Sequence, residues 1–175
     1  VAADKLSKSL IILVPNDNAY DGCTQYLSTN GDPETFDPNR DIVTLSICPP
    51  SNRPYPQDTR GVIQHEAGGH GFGKLADETI NILEWITPED KSLIESYHKS
   101  LGWFQNIAIS SKFSEVSWAD FIFDPQYSDT VDIYEGGYGY LRGVFRPELN
   151  SCMNYGIPYY NVISRLDIMR RIIES

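Results

Sequence analysis

The chain has 175 residues, a length that suits one compact domain or one domain with two small lobes across a cleft. Hydrophobic residues make up 41% and charged residues 22%, and no uninterrupted apolar stretch approaches the roughly 20 residues of a membrane span, so no transmembrane segment is read. With 14 Lys and Arg against 24 Asp and Glu, the formal net charge of -10 lacks the basic footprint that nucleic-acid binding needs.

The chain opens Val1-Ala2-Ala3-Asp4 with no initiator Met, basic n-region or apolar signal core, and so reads as a piece of a longer protein. Leu10-Ile11-Ile12-Leu13-Val14 is a short apolar run stopped by Pro15-Asn16-Asp17-Asn18, the pattern of a central strand ending in a turn. Cys23, Cys48 and Cys152 are odd in number, which excludes a closed disulfide framework; separate buried thiols are expected, with a Cys23–Cys48 bridge as the alternative. Gly31-Asp32-Pro33 and Asp37-Pro38 carry turn chemistry, and Ile42-Val43-Thr44-Leu45-Ser46-Ile47 then reads as a second strand. Asp58 or Thr59 can cap a helix through Val62, Ile63 and His65, with Gly71 and Gly73 placed to end it.

Thr87-Pro88-Glu89-Asp90 supplies a capping hydroxyl, an N1 proline and two first-turn acids ahead of Leu93, Ile94, Tyr97 and Leu101, and Gly102 stops that helix. From Asn106 to Pro158 the chain is rich in Gly, Tyr and Asp, and irregular, loop-dominated structure is expected. Ser164 can cap a closing helix whose Ile168, Met169, Ile172 and Ile173 form an apolar stripe and whose Arg170 and Arg171 suit the C-terminal dipole. No repeat or low-complexity tract is present.

The chemistry concentrates in His65-Glu66-Ala67-Gly68-Gly69-His70. Zinc sites on helices usually take two His four residues apart, which one turn places on one face. Here they are five apart, and at about 100° per residue they would diverge by ~140° on a regular α-helix. A π-type turn absorbs one extra residue, and Gly68-Gly69 supplies the backbone freedom for it. Glu66 would then stand beside the metal's open position as a general base. Only three His are present, two of them flanking this acid, and the third, His98, reads as solvent-facing. A catalytic zinc needs a third protein ligand, and Asp77, with Glu78 as the alternative, follows within reach of the glycine-rich turn.

His65 to Glu78, with Ser151-Cys152-Met153-Asn154-Tyr155 far downstream, resembles the metzincin zinc peptidases, and more narrowly the bacterial IgA-peptidase family, family sixty-four of the metallopeptidases. Gly102-Trp103-Phe104-Gln105-Asn106, Trp118, Glu135-Gly136-Gly137, Gly143 to Pro147 and Tyr160 to Arg165 extend the resemblance over roughly residues 10 to 173. Two positions depart from the common metzincin pattern. Ala76 stands where the third ligand usually falls, one residue before Asp77, and the His pair carries the extra residue, as in the His-Glu-x-x-Gly-His motif of the zinc-dependent dipeptidyl peptidase III family.

The resemblance implies an α+β catalytic domain: an upper lobe of about residues 1–75 with a mixed sheet and the zinc helix, over a loop-rich lower lobe of about 76–175 with a C-terminal helix. It implies one zinc ion, Met153 as the floor of the site, and Tyr155 as a hydrogen-bond donor to the tetrahedral intermediate or a packing residue. Ile157 and Tyr159 would wall the primed-side pocket, and Arg146 would pair with substrate or form a structural ion pair. The expected partners are a protein or peptide substrate and an upstream segment of the same protein that completes the sheet, and the expected location is secreted or at the bacterial cell envelope. The expectation is thus a zinc endopeptidase; the alternative is a non-catalytic peptide or glycoprotein-binding module with a structural zinc.

Overall fold

The computed structural model describes residues 9–17, 21–32, 34–35, 37 and 41–174, so the chain start at Val1 and the turn residues Asn18, Pro33 and Pro38 lie outside the described residues. The chain divides into two compact units, Val1–Phe72 and Gly73–Ser175. Each carries a small mixed sheet with helices, so the fold is α+β.

In the first unit β1 (Leu10–Leu13), β2 (Cys23–Ser28) and β3 (Ile42–Ile47) form a sheet in the order β1-β3-β2. β3 is the centre, parallel to β1 and antiparallel to β2, with Cys23 opposite Ile47 and Ser28 opposite Ile42. Among the described residues the apolar run at Leu10 is therefore an edge strand and not the central one, and Ile11, Ile12 and Leu13 are 41%, 47% and 48% exposed. Apolar composition signals that a strand forms but not which neighbours it takes. β3 takes the two-sided position and buries Val43, Thr44 and Ser46. β2, whose Thr, Gln and Ser dilute the apolar signal, was not expected as a strand.

Asp58 caps α1 (Thr59–Ile63), its carboxylate accepting from the N–H groups of Arg60 at 3.1 Å and Gly61 at 3.4 Å. The other candidate cap, Thr59, accepts from the Ser51 N–H at 3.0 Å instead. The helix then continues as a π-helical segment, Gln64–Phe72. Gly71 lies inside this segment, where its lack of a Cβ permits close packing on the sheet: a Cβ there would come within 2.7 Å of both Leu10 Cδ1 and Ser46 Oγ. All three cysteines are free thiols; Cys48 and Cys152 are buried as expected, whereas Cys23 is exposed.

In the second unit β4 (Ile80–Trp85) is followed by α2 (Pro88–Leu101), a single 3-10 turn, α3 (Ala119–Ile122), β5 (Tyr134–Gly137), β6 (Gly139–Arg146), α4 (Cys152–Tyr155) and α5 (Val162–Glu174). The sheet order is β4-β6-β5, with β4 parallel and β5 antiparallel to β6. α2 starts and stops as its sequence dictates: Thr87 Oγ1 accepts from the Asp90 N–H at 3.1 Å, and Gly102 closes it at φ 63°.

The Gly- and Tyr-rich stretch is more ordered than its composition suggests. Gly137 pairs with Tyr140, leaving Tyr138 and Gly139 as a two-residue hairpin loop with φ of 52° and 83°, the positive pair that a type I′ turn requires. Trp118, fully buried, centres a core with Ala108, Val116, Val131, Val162 and Ile163, and its indole N–H donates to the Asp132 carbonyl at 2.9 Å. α5 is capped by Asn161 and not by Ser164: the Asn161 Oδ1 accepts from the Ser164 N–H at 2.9 Å, and Ser164 is buried inside the first turn. Its expected apolar stripe is largely uncovered, with Met169, Ile172 and Ile173 exposed, because burial falls on the Val162, Ile163 and Asp167 face of the earlier turns. Among the described residues no helix is long and apolar enough to cross a membrane.

Asp167 is a buried acid on α5, and burial pushes its carboxyl up to about 6, against the pull of Arg170 and Arg171. The native state thus keeps a proton that the unfolded chain releases near pH 4, so this group's contribution is present below about pH 4 and lost as pH rises through about 6. Urea unfolding at pH 4 and pH 7 should show the native protein losing on the order of 1–3 kcal/mol relative to Asp167→Asn, whose side chain does not titrate.

Candidate metal centre

In a π-helix the hydrogen bonds run from i to i+5, so residues five apart come onto one face. The winding of Gln64–Phe72 does this for His65 and His70 over the whole segment and not in one turn at Gly68-Gly69. Their Nε2 atoms lie 3.2 Å apart, with ring centroids at 4.8 Å and ring planes at 83°. Two Zn–N bonds of about 2.05 Å meeting at a tetrahedral angle would set the two nitrogens about 3.3 Å apart. The pair therefore already has the spacing that one ion imposes.

β2 holds this helix from the sheet side through alternate residues, as a strand's period of two dictates. Thr24 Oγ1 donates to the Glu66 carbonyl at 2.9 Å and lies 3.0 Å from Glu66 Oε2, and Ser46 Oγ of β3 reaches the same carbonyl at 3.2 Å. Tyr26 donates its hydroxyl to the His70 carbonyl at 2.7 Å. At Gly22 a Cβ would fall 2.6 Å from Glu66 Cγ, so only glycine leaves room for the buried carboxylate. Sequence reasoning missed Gly22, Thr24 and Tyr26. The i, i+2, i+4 spacing was the available signal, and it means nothing until β2 is recognised as a strand.

Beyond the π segment the chain turns at Lys74, whose φ of 54° places the left-handed residue on a lysine and not on the neighbouring glycines. The Lys74 carbonyl accepts from the Phe104 N–H at 2.9 Å, and its amine lies 5.1 Å over the Trp103 ring. Burial pulls that amine down to about 7. His98 is not solvent-facing: it is half-buried, with Nε2 3.0 Å from the Phe104 carbonyl, and burial lowers its pKa.

His65 and His70 of the first unit offer two imidazole nitrogens to one ion, and Asp77, the expected third ligand, is half-buried in the second unit. Glu78, the alternative third ligand, has both its carboxylate oxygens committed within the second unit. It is 1% exposed; Oε1 accepts from Asn106 Nδ2 at 2.8 Å and Asn161 Nδ2 at 2.6 Å, and Oε2 from Ser151 Oγ at 2.5 Å. Burial raises its pKa to about 7, against the lowering effect of those three donors.

Met153 is fully buried at the start of α4, where Ser151 and Asn154 form a capping box, and Tyr155 on the same turn is 63% exposed. Ile157 is half-buried, and Tyr159 donates its hydroxyl to Glu148 Oε2 at 2.8 Å. Arg146 is buried, and its Nη1 donates to the carbonyls of Glu135 at 3.1 Å and Gly136 at 2.5 Å, so it closes the end of β5 and makes no ion pair among the described residues.

No model of a known protein family matches the chain, and no curated protein matches it either.

Thr24→Val removes the donor to Glu66 and leaves its shape nearly unchanged. It should cost about 1–3 kcal/mol in urea unfolding, whereas Gln25→Ala, on the other face of β2, should stay within about 0.5 kcal/mol.

Proposed function

We propose that the protein is a zinc-dependent endopeptidase that hydrolyses peptide bonds of a protein substrate, acting outside the cell or at its envelope. His65, His70 and Asp77 hold the ion and Glu66 is the general base. The observation that carries this reading is the 3.2 Å Nε2 separation of a His pair that regular helical winding would keep apart. Two imidazoles and a carboxylate are also a donor set that suits zinc and leaves a position open. Zinc bound there would polarise the scissile carbonyl and lower the pKa of a coordinated water to about 7.

The remaining chemistry falls to the chain. Glu66 takes the proton of the attacking water and returns it to the leaving amine, with Thr24 and Gly22 fixing its rotamer. Met153 floors the site, Tyr155 offers its phenol to the oxyanion of the tetrahedral intermediate, and Ile157 and the ring of Tyr159 line the primed side. Arg146 shapes β5 through Nη1, which is committed to two β5 carbonyls.

A non-catalytic zinc module is the second reading, favoured by the contact of the Glu66 carboxylate with the sheet through Thr24. Glu66→Gln separates the two. On the peptidase reading the variant keeps its zinc stoichiometry while hydrolysis of quenched-fluorescence peptides falls by about 10²–10⁴-fold, and chelation abolishes activity in the native protein. Undiminished turnover by Glu66→Gln would remove the general base. Stoichiometric zinc with no hydrolysis by the native protein would leave the binding module.

A further inference from the structure

We infer that Glu78, together with Asn106, is a positioning residue of the metal centre, which fixes the backbone that presents Asp77 and ties it to the turn carrying Met153. The inference rests on the zinc reading of His65, His70 and Asp77. The observations behind it all lie in the second unit.

Each residue around Asp77 is fixed by a different partner. Asn106 binds both sides of Ala76, accepting its N–H at 2.8 Å and donating to its carbonyl at 2.9 Å. The Asp77 carbonyl accepts from the Tyr138 N–H at 2.9 Å, and the Glu78 N–H donates to the Met153 carbonyl at 2.8 Å. The Glu78 side chain then reaches the same turn a second way. Ser151 Oγ donates to Glu78 Oε2 at 2.5 Å while accepting from the Met153 N–H at 3.0 Å, so Met153 is bracketed at both its N–H and its carbonyl.

The donors are fully used. Asn106 spends one amide hydrogen on Ala76 and the other on Glu78 Oε1, and Asn161 adds a second donor to that oxygen at 2.6 Å while its own Oδ1 caps α5. A buried carboxylate is costly without such partners, and a fold that needed only bulk at this position would place an apolar side chain there. The arrangement spends a buried acid to hold the residue beside a ligand, as outer partners of metal ligands do when they tune affinity.

The test uses the whole chain and zinc itself. Dissociation constants are measured against a chromophoric chelator well below the melting temperature, alongside thermal melts of the zinc-free proteins. Glu78→Gln keeps an acceptor for the two Asn donors and offers Ser151 an N–H, so its zinc affinity should stay within threefold of native. Glu78→Ala and Asn106→Ala should weaken zinc by about 10–100-fold. Asp77→Ala should weaken it at least as much.

Native affinity in folded Glu78→Ala would overturn the inference, because a purely structural residue would lower the melt and leave the folded fraction's affinity alone. If Glu78→Gln bound as poorly as Asp77→Ala, Glu78 would be a ligand and the inference would also fall. If Glu78→Ala does not fold, Ser151→Ala replaces it, with at least a threefold loss expected and native affinity overturning the inference. Absence of zinc binding by the native protein would instead overturn the zinc reading itself, and this inference with it.

Discussion

Two imidazoles five residues apart can meet one ion from a helix only if the helix widens, and the site follows from that requirement. Nine residues wind with the wider spacing, and the segment is built for it: Ala67, Gly69 and Gly71, small residues at alternate positions, are buried. A wider helix has a thicker backbone and can approach a sheet closely only where side chains are short. The sheet answers with hydroxyls. Thr24 and Ser46 meet the carbonyl of Glu66, and Tyr26 that of His70, so carbonyls of the widened segment gain partners from β2 and β3. Winding and sheet therefore support one another, and Glu66 and both His are set by the same contacts.

The two adjacent acids after the turn have different surroundings. Asp77 is half-buried, whereas Glu78 is sealed among amide and hydroxyl donors. The chain does not waste that second acid: the donors that make its burial tolerable come from α4, the α5 cap and the loop at Asn106. Three segments distant in sequence are joined at one carboxylate.

Much of this is legible in the sequence, and what is not escapes for physical reasons. The His pair, the need for widened winding, a cap at Asp58 or Thr59, the cap at Thr87 and the stop at Gly102 are local, and local chemistry decides them. The edge position of β1 was not legible, because pairing partners are set by the whole sheet. β2 and the β5–β6 hairpin were missed because polar and glycine-rich strands carry little apolar periodicity; their order comes from hydrogen bonds and from the positive φ values of Tyr138 and Gly139. The closing helix was placed but capped wrongly, since Asn161 and Ser164 are both good caps and burial chose between them. Asp77 and Glu78 could not be separated by type or spacing, only by where Asn106, Asn161 and Ser151 arrive.

The one-residue shifts in the motif fall in different local geometries. Ala76, in the position where a related motif would carry its third ligand, is 1% exposed, and its N–H and carbonyl are both bound by the amide of Asn106. A ligand side chain there would have to leave the interior against those two bonds, while a methyl group fits. Asp77, the next residue, is half-buried, and the chain reaches it after a left-handed turn at Lys74. The extra residue between the His is absorbed by the π-helical winding. That irregularity therefore has a local remedy, and a His pair that departs from the common spacing still brings its two imidazoles to 3.2 Å.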